Sequence, residues 1–495
     1  MKKYVLSIDQ STTATKAVIF DQDANLILQK NIEHRQYFPK PGWVEHDAEE
    51  IYRKTKQAII SVIEKSKASS GEIAALAITN QRETTVVWDR KTGKPVFNAI
   101  VWQDRRTADY CLKLKEEGAE KTITEKTGLL IDAYFSATKI KWILDNVDGV
   151  KERAERGELA FGTTDSWVIW NLTNGKLHIT DVSNASRTML FNIHSLKWDE
   201  ELIKIFGIPE SLLPQVVPSS YVNGTVTDIE QLSGVPIAGI AGDQQAALFG
   251  QMCTKEGMAK CTYGTGCFLV MNTGSRAIAS NNKLLTTIGW QIGNEVTYAL
   301  EGSVFMGGAV IQWLRDGLGF FASAPESEAL AEMVEDSGGV VFVPSLTGLG
   351  APHWDPYARG SIFGITRGTT KSHLTRAALE SVCFQVNDVI ETMKKDSGEA
   401  IAELRIDGGA AANNLMDQFQ SDLSDINLVR STNMETTALG AAYFAGIAVG
   451  LWKIEELQEK WMIDRIFTPA GKKEEIEKLK ARWYKAVERT KNWID

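Results

Sequence analysis

Two stretches of this chain, one at its start and one just past its middle, are built to the same plan. Tyr4-Val-Leu-Ser-Ile8 is apolar, Asp9-Gln-Ser-Thr-Thr13 is small and polar, and Lys16-Ala-Val-Ile-Phe20 is apolar again, which predicts a β-hairpin with a tight polar turn. Ala259 to Met271 repeats the arrangement, with Thr262, Gly264, Thr265 and Gly266 around its turn. A second pair of segments echoes in the same way: Ile237–Ala241 runs into Gly242-Asp243-Gln244, Leu404–Ile406 runs into Asp407-Gly408-Gly409, and a helical pattern follows each. A duplicated chain of 495 residues has enough apolar material for two cores. The boundary is expected near residues 248–258, giving an N-terminal domain over 1–250 and a C-terminal domain over 251–495. No Pro- or Ser-rich linker separates them, so two α/β domains packed closely across a functional cleft, with a short hinge, are expected.

Elsewhere helical patterns alternate with apolar strands, as in Ala48–Lys65 before Ile73–Thr79 and Ser372–Lys395 before Leu404–Ile406. Mixed α/β sheets follow from that alternation. A net charge of -9 disfavours a chain that wraps nucleic acid or rests on an anionic membrane. Five cysteines without a C-x-x-C pair point to neither a disulfide framework nor a thiolate zinc site, and the chain reads as reduced and cytoplasmic. The apolar run after Lys2 and Lys3 is too short for a signal-peptide core, so export is not expected. Leu439–Trp452, rich in Gly and Ala, falls short of a bilayer span and reads as a buried helix. Lys472–Lys491 reads as an amphipathic helix docked through Leu479 and Trp483.

The two hairpin turns carry the chemistry. A turn of Thr, Ser and Gly offers backbone N–H groups and hydroxyls with little bulk in the way, which suits a phosphate; taken singly, such a turn is as readily structural. Two of them in a duplicated chain can grip a polyphosphate from both sides. Asp9, at the end of the first strand, is placed to hold Mg²⁺ directly or through water, while Thr12 and Thr13 can donate to phosphate oxygens. Asp407 to Asn413 is a glycine-rich lead-in to a helix that can accept an adenosine, although many helices begin this way without a ligand. The chain has no G-x-x-x-x-G-K-[ST], no H-R-D and no D-F-G, so P-loop and protein-kinase readings fail.

These residues, taken in order, resemble the FGGY family of sugar and polyol kinases across nearly the whole chain. The resemblance rests on Asp9-Gln10-Ser11-Thr12-Thr13, Pro41 to His46, Ile78 to Thr84, Asn98 to Gln103 and Tyr134 to Asn146, continuing through Gly242 to Ala246, Thr262 to Gly266 and Asp407-Gly408-Gly409. It implies two ribonuclease-H-like domains of the actin, hexokinase and Hsp70 superfamily, closing on ATP and substrate with the active site in the interdomain cleft. Around Asn80–Glu83 the chain resembles the glycerol-phosphorylating members more than the pentose kinases. A transferase that moves the γ-phosphoryl of ATP to glycerol, giving sn-glycerol 3-phosphate, is therefore expected.

Carried over position by position, the resemblance places Arg82, Glu83, Tyr134 and Asp243 on glycerol hydroxyls, Gln244 close by, and Trp102 and Phe268 against the carbons. It assigns Thr12, Thr13, Lys16, Thr265, Gly308, Gln312, Gly409 and Asn413 to phosphate and nucleotide, and Asp9 with Asp243 to Mg²⁺. A primary alcohol needs a base as it attacks phosphorus, and Asp243, opening a helix after a strand, is the expected base. Family members commonly carry Gly and Arg where this chain has Ser11 and Lys16; the Lys keeps the charge and loses a bidentate donor. Closure on glycerol is expected, because a preassembled site would waste ATP on water.

Some bacterial members bind fructose 1,6-bisphosphate through a basic glycine-rich loop, or are activated by histidine phosphorylation nearby. The matching stretch here, Gly224 to Gly234, is shorter and acidic, and no histidine falls between His194 and His353, so neither control is expected. Assembly into dimers or tetramers is implied by the family alone. The competing readings are a kinase for another polyol or sugar and an actin- or Hsp70-like ATPase, the latter expected to lack the Arg82, Glu83, Trp102 and Tyr134 pocket.

Overall fold

The computed structural model describes residues 2–355 and 357–494. Its spine is a 13-stranded sheet. In chain order the strands are β1 (Tyr4–Gln10), β2 (Ala14–Phe20), β3 (Leu26–Glu33), β4 (Ile73–Asn80), β5 (Ser220–Thr225), β6 (Pro236–Gly242), β7 (Ala259–Tyr263), β8 (Cys267–Asn272), β9 (Leu285–Ile292), β10 (Glu295–Val304), β11 (Glu403–Asp407), β12 (Asn427–Ser431) and β13 (Ile463–Phe467). They lie in the order β13-β12-β11-β7-β8-β10-β9-β5-β6-β4-β1-β2-β3. The helices that matter to the site are α1 (Ala48–Ser66), α2 (Asp243–Gly250), α3 (Gly308–Asp316), α4 (Lys371–Ser397), α5 (Asn414–Ser424), α6 (Thr436–Ala448) and α7 (Lys473–Thr490).

The duplication is visible in the topology. In the first half β1 pairs antiparallel with β2 and β2 with β3, while β1 pairs parallel with β4 and β4 with β6. In the second half β7 pairs antiparallel with β8 and β8 with β10, while β7 pairs parallel with β11 and β11 with β12. The halves meet in the sheet at one parallel pairing, Ser220 with Ile292.

Both expected hairpins form, with Asp9 opposite Lys16 in the first and Thr262 opposite Phe268 in the second. The second expected echo is misregistered. β6 occupies the fifth place of its half and corresponds to β12, whereas β11 corresponds to β4. The error has a local cause: both β6 and β11 are short strands that carry apolar residues into an Asp and Gly turn, and strand order separates them.

Burial follows from the layers. β1 and β4 are covered on both faces and almost wholly buried, as interior strands are, whereas edge strand β3 alternates half-buried and exposed residues. α1 lies on β2 and β3. The second half has its own core, in which α4 packs against β8 and β10, and α7 is docked by Trp483 with Leu479 at the margin. Between the halves, α2 and α6 cross at very close range inside a core of alanines and aromatics. A Cβ on Gly250 would collide with the Thr436 carbonyl oxygen, and one on Gly440 with that of Ala246. The small residues of the expected buried helix exist for this crossing. No described helix is long and apolar enough to cross a membrane.

Candidate active site

The expected site residues of the first half gather where parallel strands end, the usual place for ligands on such sheets. β1 delivers Asp9 and the Ser11-Thr12-Thr13 turn, β4 runs into Gln81-Arg82-Glu83, and β6 ends at Gly242 directly before Asp243. Register aligns them, with Asp9 beside Thr79, and Gln10 and Gly242 both beside Asn80. Asp243 opens α2, and its Oδ1 accepts from the Gln244 backbone N–H at 2.7 Å.

Arg82 is the centre of a buried ionic network. Its Nη1 donates to Glu301 and, at 3.3 Å, to Gln245 Oε1; its Nη2 donates to Glu301 Oε1 at 3.0 Å and to the Tyr134 hydroxyl at 3.3 Å. Its Nε lies 3.1 Å from Asp243 Oδ1. Arg187 completes the set, donating from Nε to Glu83 Oε1 at 2.6 Å and from Nη2 to Glu301 Oε1 at 3.0 Å. Glu83 holds a left-handed backbone at φ +60°, a strained conformation for a non-glycine residue and one that accumulates at functional sites. Of the three carboxylates on this network, Glu83 and Glu301 are sealed at 1% and 0% side-chain exposure, whereas Asp243 leaves 29% open. Asp243 is therefore the one a substrate hydroxyl can reach.

Electrostatics separate the three further. Burial pushes the Glu83 carboxyl up against the pull of Arg82 and Arg187. Burial opposes ionisation of Glu301 as well, yet Arg187 and Arg82 overcome it and hold that carboxyl down to about 2. Asp243 is raised by burial and by the charge of Asp9, against Arg82, which moves a carboxylate toward the range useful to a general base. Asp9 is raised by burial too, against Lys16 and a 2.9 Å hydrogen bond donated by Ser11 Oγ.

An aromatic wall faces this network. The Trp102 ring meets Tyr134 edge-on at 5.6 Å and Phe268 at 6.4 Å, so a tryptophan and a tyrosine of the first half close against a phenylalanine of the second. Trp102 is held by two threonines: its backbone N–H donates to Thr84 Oγ1 at 3.2 Å and its indole N–H to Thr12 Oγ1 at 2.9 Å. Every expected glycerol residue thus falls in one region, with two qualifications. Glu83 is turned into its bond with Arg187, and the Gln244 carbonyl oxygen is taken by Lys260.

Five of the eight expected phosphate and nucleotide residues lie on the second half. Thr265 stands exposed at the β7–β8 turn, and the start of α3 docks onto that turn, with Gly308 N–H donating to the Gly264 carbonyl at 2.8 Å and Ala309 N–H to that of Thr265 at 3.1 Å. Gln312, one turn along α3, is exposed. Because β7 pairs parallel with β11, the Asp407–Asn413 turn emerges beside them, and Gly409 faces open space. Asn413 caps α5 by accepting from the Met416 N–H at 2.9 Å. On the first half Thr13 is exposed, while Lys16 reaches across to pair with Glu435 at the start of α6. Among the described residues no group of three or more metal-ligating side chains occurs. Asp9 lies close enough to raise Asp243, and the two offer hard carboxylate oxygens of the kind Mg²⁺ takes.

Sequence reasoning missed Glu301, Arg187 and Lys260. Glu301 had a signal, a lone carboxylate inside the otherwise apolar, small run Ala299-Leu-Glu-Gly-Ser303. Arg187 lies in a non-periodic polar loop and had none.

Comparison with known proteins identifies the family. Residues 4–250 match the FGGY family of carbohydrate kinases, N-terminal domain, and residues 259–449 its C-terminal domain. A glycerol kinase of Parabacteroides distasonis is 57% identical over 494 residues, covering 100% of this chain and 99% of that protein, and glycerol kinase 2 of Thermotoga maritima is 57% identical over 493, covering 99% of each. Among solved structures, the Plasmodium falciparum glycerol kinase with ADP superposes with a TM-score of 0.93 at 39% identity, covering 98% of both chains. A xylulose kinase of Lactobacillus acidophilus, 22% identical with a TM-score of 0.88 over 98% of this chain and 97% of its own, shares the fold. This chain belongs to the FGGY family of carbohydrate kinases.

Proposed function

We propose that the chain transfers the γ-phosphoryl of ATP to glycerol, releasing ADP and sn-glycerol 3-phosphate, with Asp243 as general base. The observation that carries this is the pairing of a single reachable carboxylate, Asp243, with Arg82 and Tyr134 on one side and the Trp102–Phe268 wall on the other. A small triol offers both what such a pocket needs: hydroxyls for the polar edge and a short carbon chain for the rings. Full-length relatives at 57% identity carry the name glycerol kinase.

In this reading Asp243 removes the proton of a primary hydroxyl as its oxygen attacks the γ-phosphorus and the bond to ADP breaks opposite. Thr12, Thr13, Lys16 and Thr265 line the polyphosphate from the two hairpins, and Gly308, Gln312, Gly409 and Asn413 receive the nucleoside. Asp9 and Asp243 would hold a Mg²⁺, which would supply charge neutralisation during the transfer. Residues 1–250 and 251–495 close on the substrates as two bodies, which keeps water from competing with glycerol. A cytoplasmic, self-associating enzyme completes the reading.

The test is ADP release from Mg-ATP with and without glycerol, in wild type and Asp243→Ala. Glycerol-dependent turnover lost in the variant, with glycerol 3-phosphate as product, supports it. Turnover that ignores glycerol and rises with another polyol keeps the kinase and overturns the substrate; turnover that responds to no small alcohol overturns the kinase.

A further inference from the structure

Lys260 is fully buried at the floor of the pocket. It lies on β7 two residues before Thr262, and Thr262 stands opposite Phe268, so all three side chains share one face of the hairpin while Cys261 and Tyr263 point into the core of the second half. An ammonium withdrawn from water is costly unless its donors are met. Lys260 forms no ion pair with a described residue; Asp407 and Asp243 face it at longer range, with Arg82 opposing. Its Nζ instead donates to Gln244 Oε1 and, at 2.8 Å, to Thr262 Oγ1.

This contact settles which way Gln244 faces. An ammonium is a donor only, so the end of the Gln244 side chain turned to Lys260 must be its carbonyl, and the amide N–H groups form the other end. We infer that Lys260 is a positioning residue for the substrate: by pinning the Gln244 carbonyl it makes Gln244 a donor toward the pocket, beside Asp243, which is an acceptor. A hydroxyl held by that neighbouring pair accepts from Gln244 and donates to Asp243, which aims its proton at the base. The inference rests on the functional reading above for the identity of the hydroxyl, but not for the orientation of Gln244.

The experiment is a double-mutant cycle on glycerol-dependent ADP release with Lys260→Met, Gln244→Ala and the two combined. Each single change is expected to raise the glycerol KM by about tenfold, the worth of one oriented hydrogen bond, with the ATP KM within about twofold. The double variant should be no worse than either single one, and Lys260→Arg should recover part of the loss. Multiplied effects, or an ATP KM that rises together with that for glycerol, overturn the assignment. Thermal midpoints provide a reading that needs neither glycerol turnover nor a folded Lys260→Met. Gln244→Glu sets a carboxylate against the ammonium and should melt higher than Gln244→Ala; a lower midpoint overturns the contact.

Discussion

Replacing Glu301 by Gln removes one charge from the middle of the Arg82–Arg187 network with almost no change of shape. Glu301 has no exposed surface, accepts from both arginines, and comes from the second half of the chain while both arginines come from the first. Its carboxyl is held from an ordinary 4.5 down to about 2, and at about 1.4 kcal/mol per pH unit this corresponds to about 3 kcal/mol favouring the ionised, paired form. Breaking a buried pair by removing one partner typically costs about 3–5 kcal/mol, so two routes agree. For a unit of about 250 residues this lowers the melting midpoint by about 6–12 °C. A carboxyl whose folded value is depressed stabilises fully above its unfolded value and loses that contribution as pH falls through the folded one. The gap between wild type and Glu301→Gln is therefore expected to be constant from pH 7 to about 5 and to close between about 4.5 and 2. Glu83→Gln is the control: burial already opposes the Glu83 charge, so its loss should be the smaller. Melting curves of the three proteins across pH, followed by circular dichroism, decide the matter. A Glu301→Gln midpoint within about 2 °C of wild type at pH 7, or a gap that persists unchanged to pH 3, refutes the reasoning.

Other perturbations address the site and the scaffold. Asp243→Asn keeps an oxygen for Arg82 but no base, and kcat should fall by about 10²–10⁴ with the glycerol KM nearly unchanged, read from initial rates of ADP release. Asp9→Asn should abolish Mg²⁺-dependent turnover and yet melt no lower than wild type in EDTA, because a buried carboxyl whose pKa is raised weakens the fold wherever it is ionised. Trp102→Ala opens the wall and frees Thr12, so KM should rise for glycerol and for ATP, whereas Trp102→Phe keeps the wall and should affect ATP more, by the lost indole bond. Gly440→Ala drives a methyl into the Ala246 carbonyl and should cost about 1–3 kcal/mol or more, seen as an earlier urea transition.

The sequence was legible where local pattern and long-range structure coincide. The hairpins at Asp9–Thr13 and Tyr263–Gly266 announce themselves because a tight polar turn between apolar strands has few other uses. Arg82, Tyr134, Trp102, Phe268 and Asp243 were named together only through the family resemblance; nothing in their spacing brings positions 82, 134, 243 and 268 into one pocket. The mispaired echo of β6 and β11 shows the limit of pattern matching, since strand order is set by pairing partners that neither segment encodes locally. Glu301 and Lys260 were missed for a related reason. Each is a charged residue within a buried stretch of strand, and its partners, Arg82 and Gln244, lie far away or across an element boundary.

The crossing of α2 and α6 also bears on how such a chain arose. Gly250 rests on Thr436 and Gly440 rests on Ala246, so both contacts share one offset of 190 residues, from 246 to 436 and from 250 to 440. Reciprocal contacts of this kind define a two-fold axis, the signature of an isologous interface between identical subunits. That local axis runs through the two glycines. In the proposed reading the two halves divide the work, with Asp243 at the start of α2 on one and the turns at Thr265 and Gly409 on the other. Backbone packs on backbone at the two glycines while Phe249 of α2 stacks on Phe444 of α6 at 4.3 Å beside them, so the joint between the halves is keyed by rings as well as by glycines.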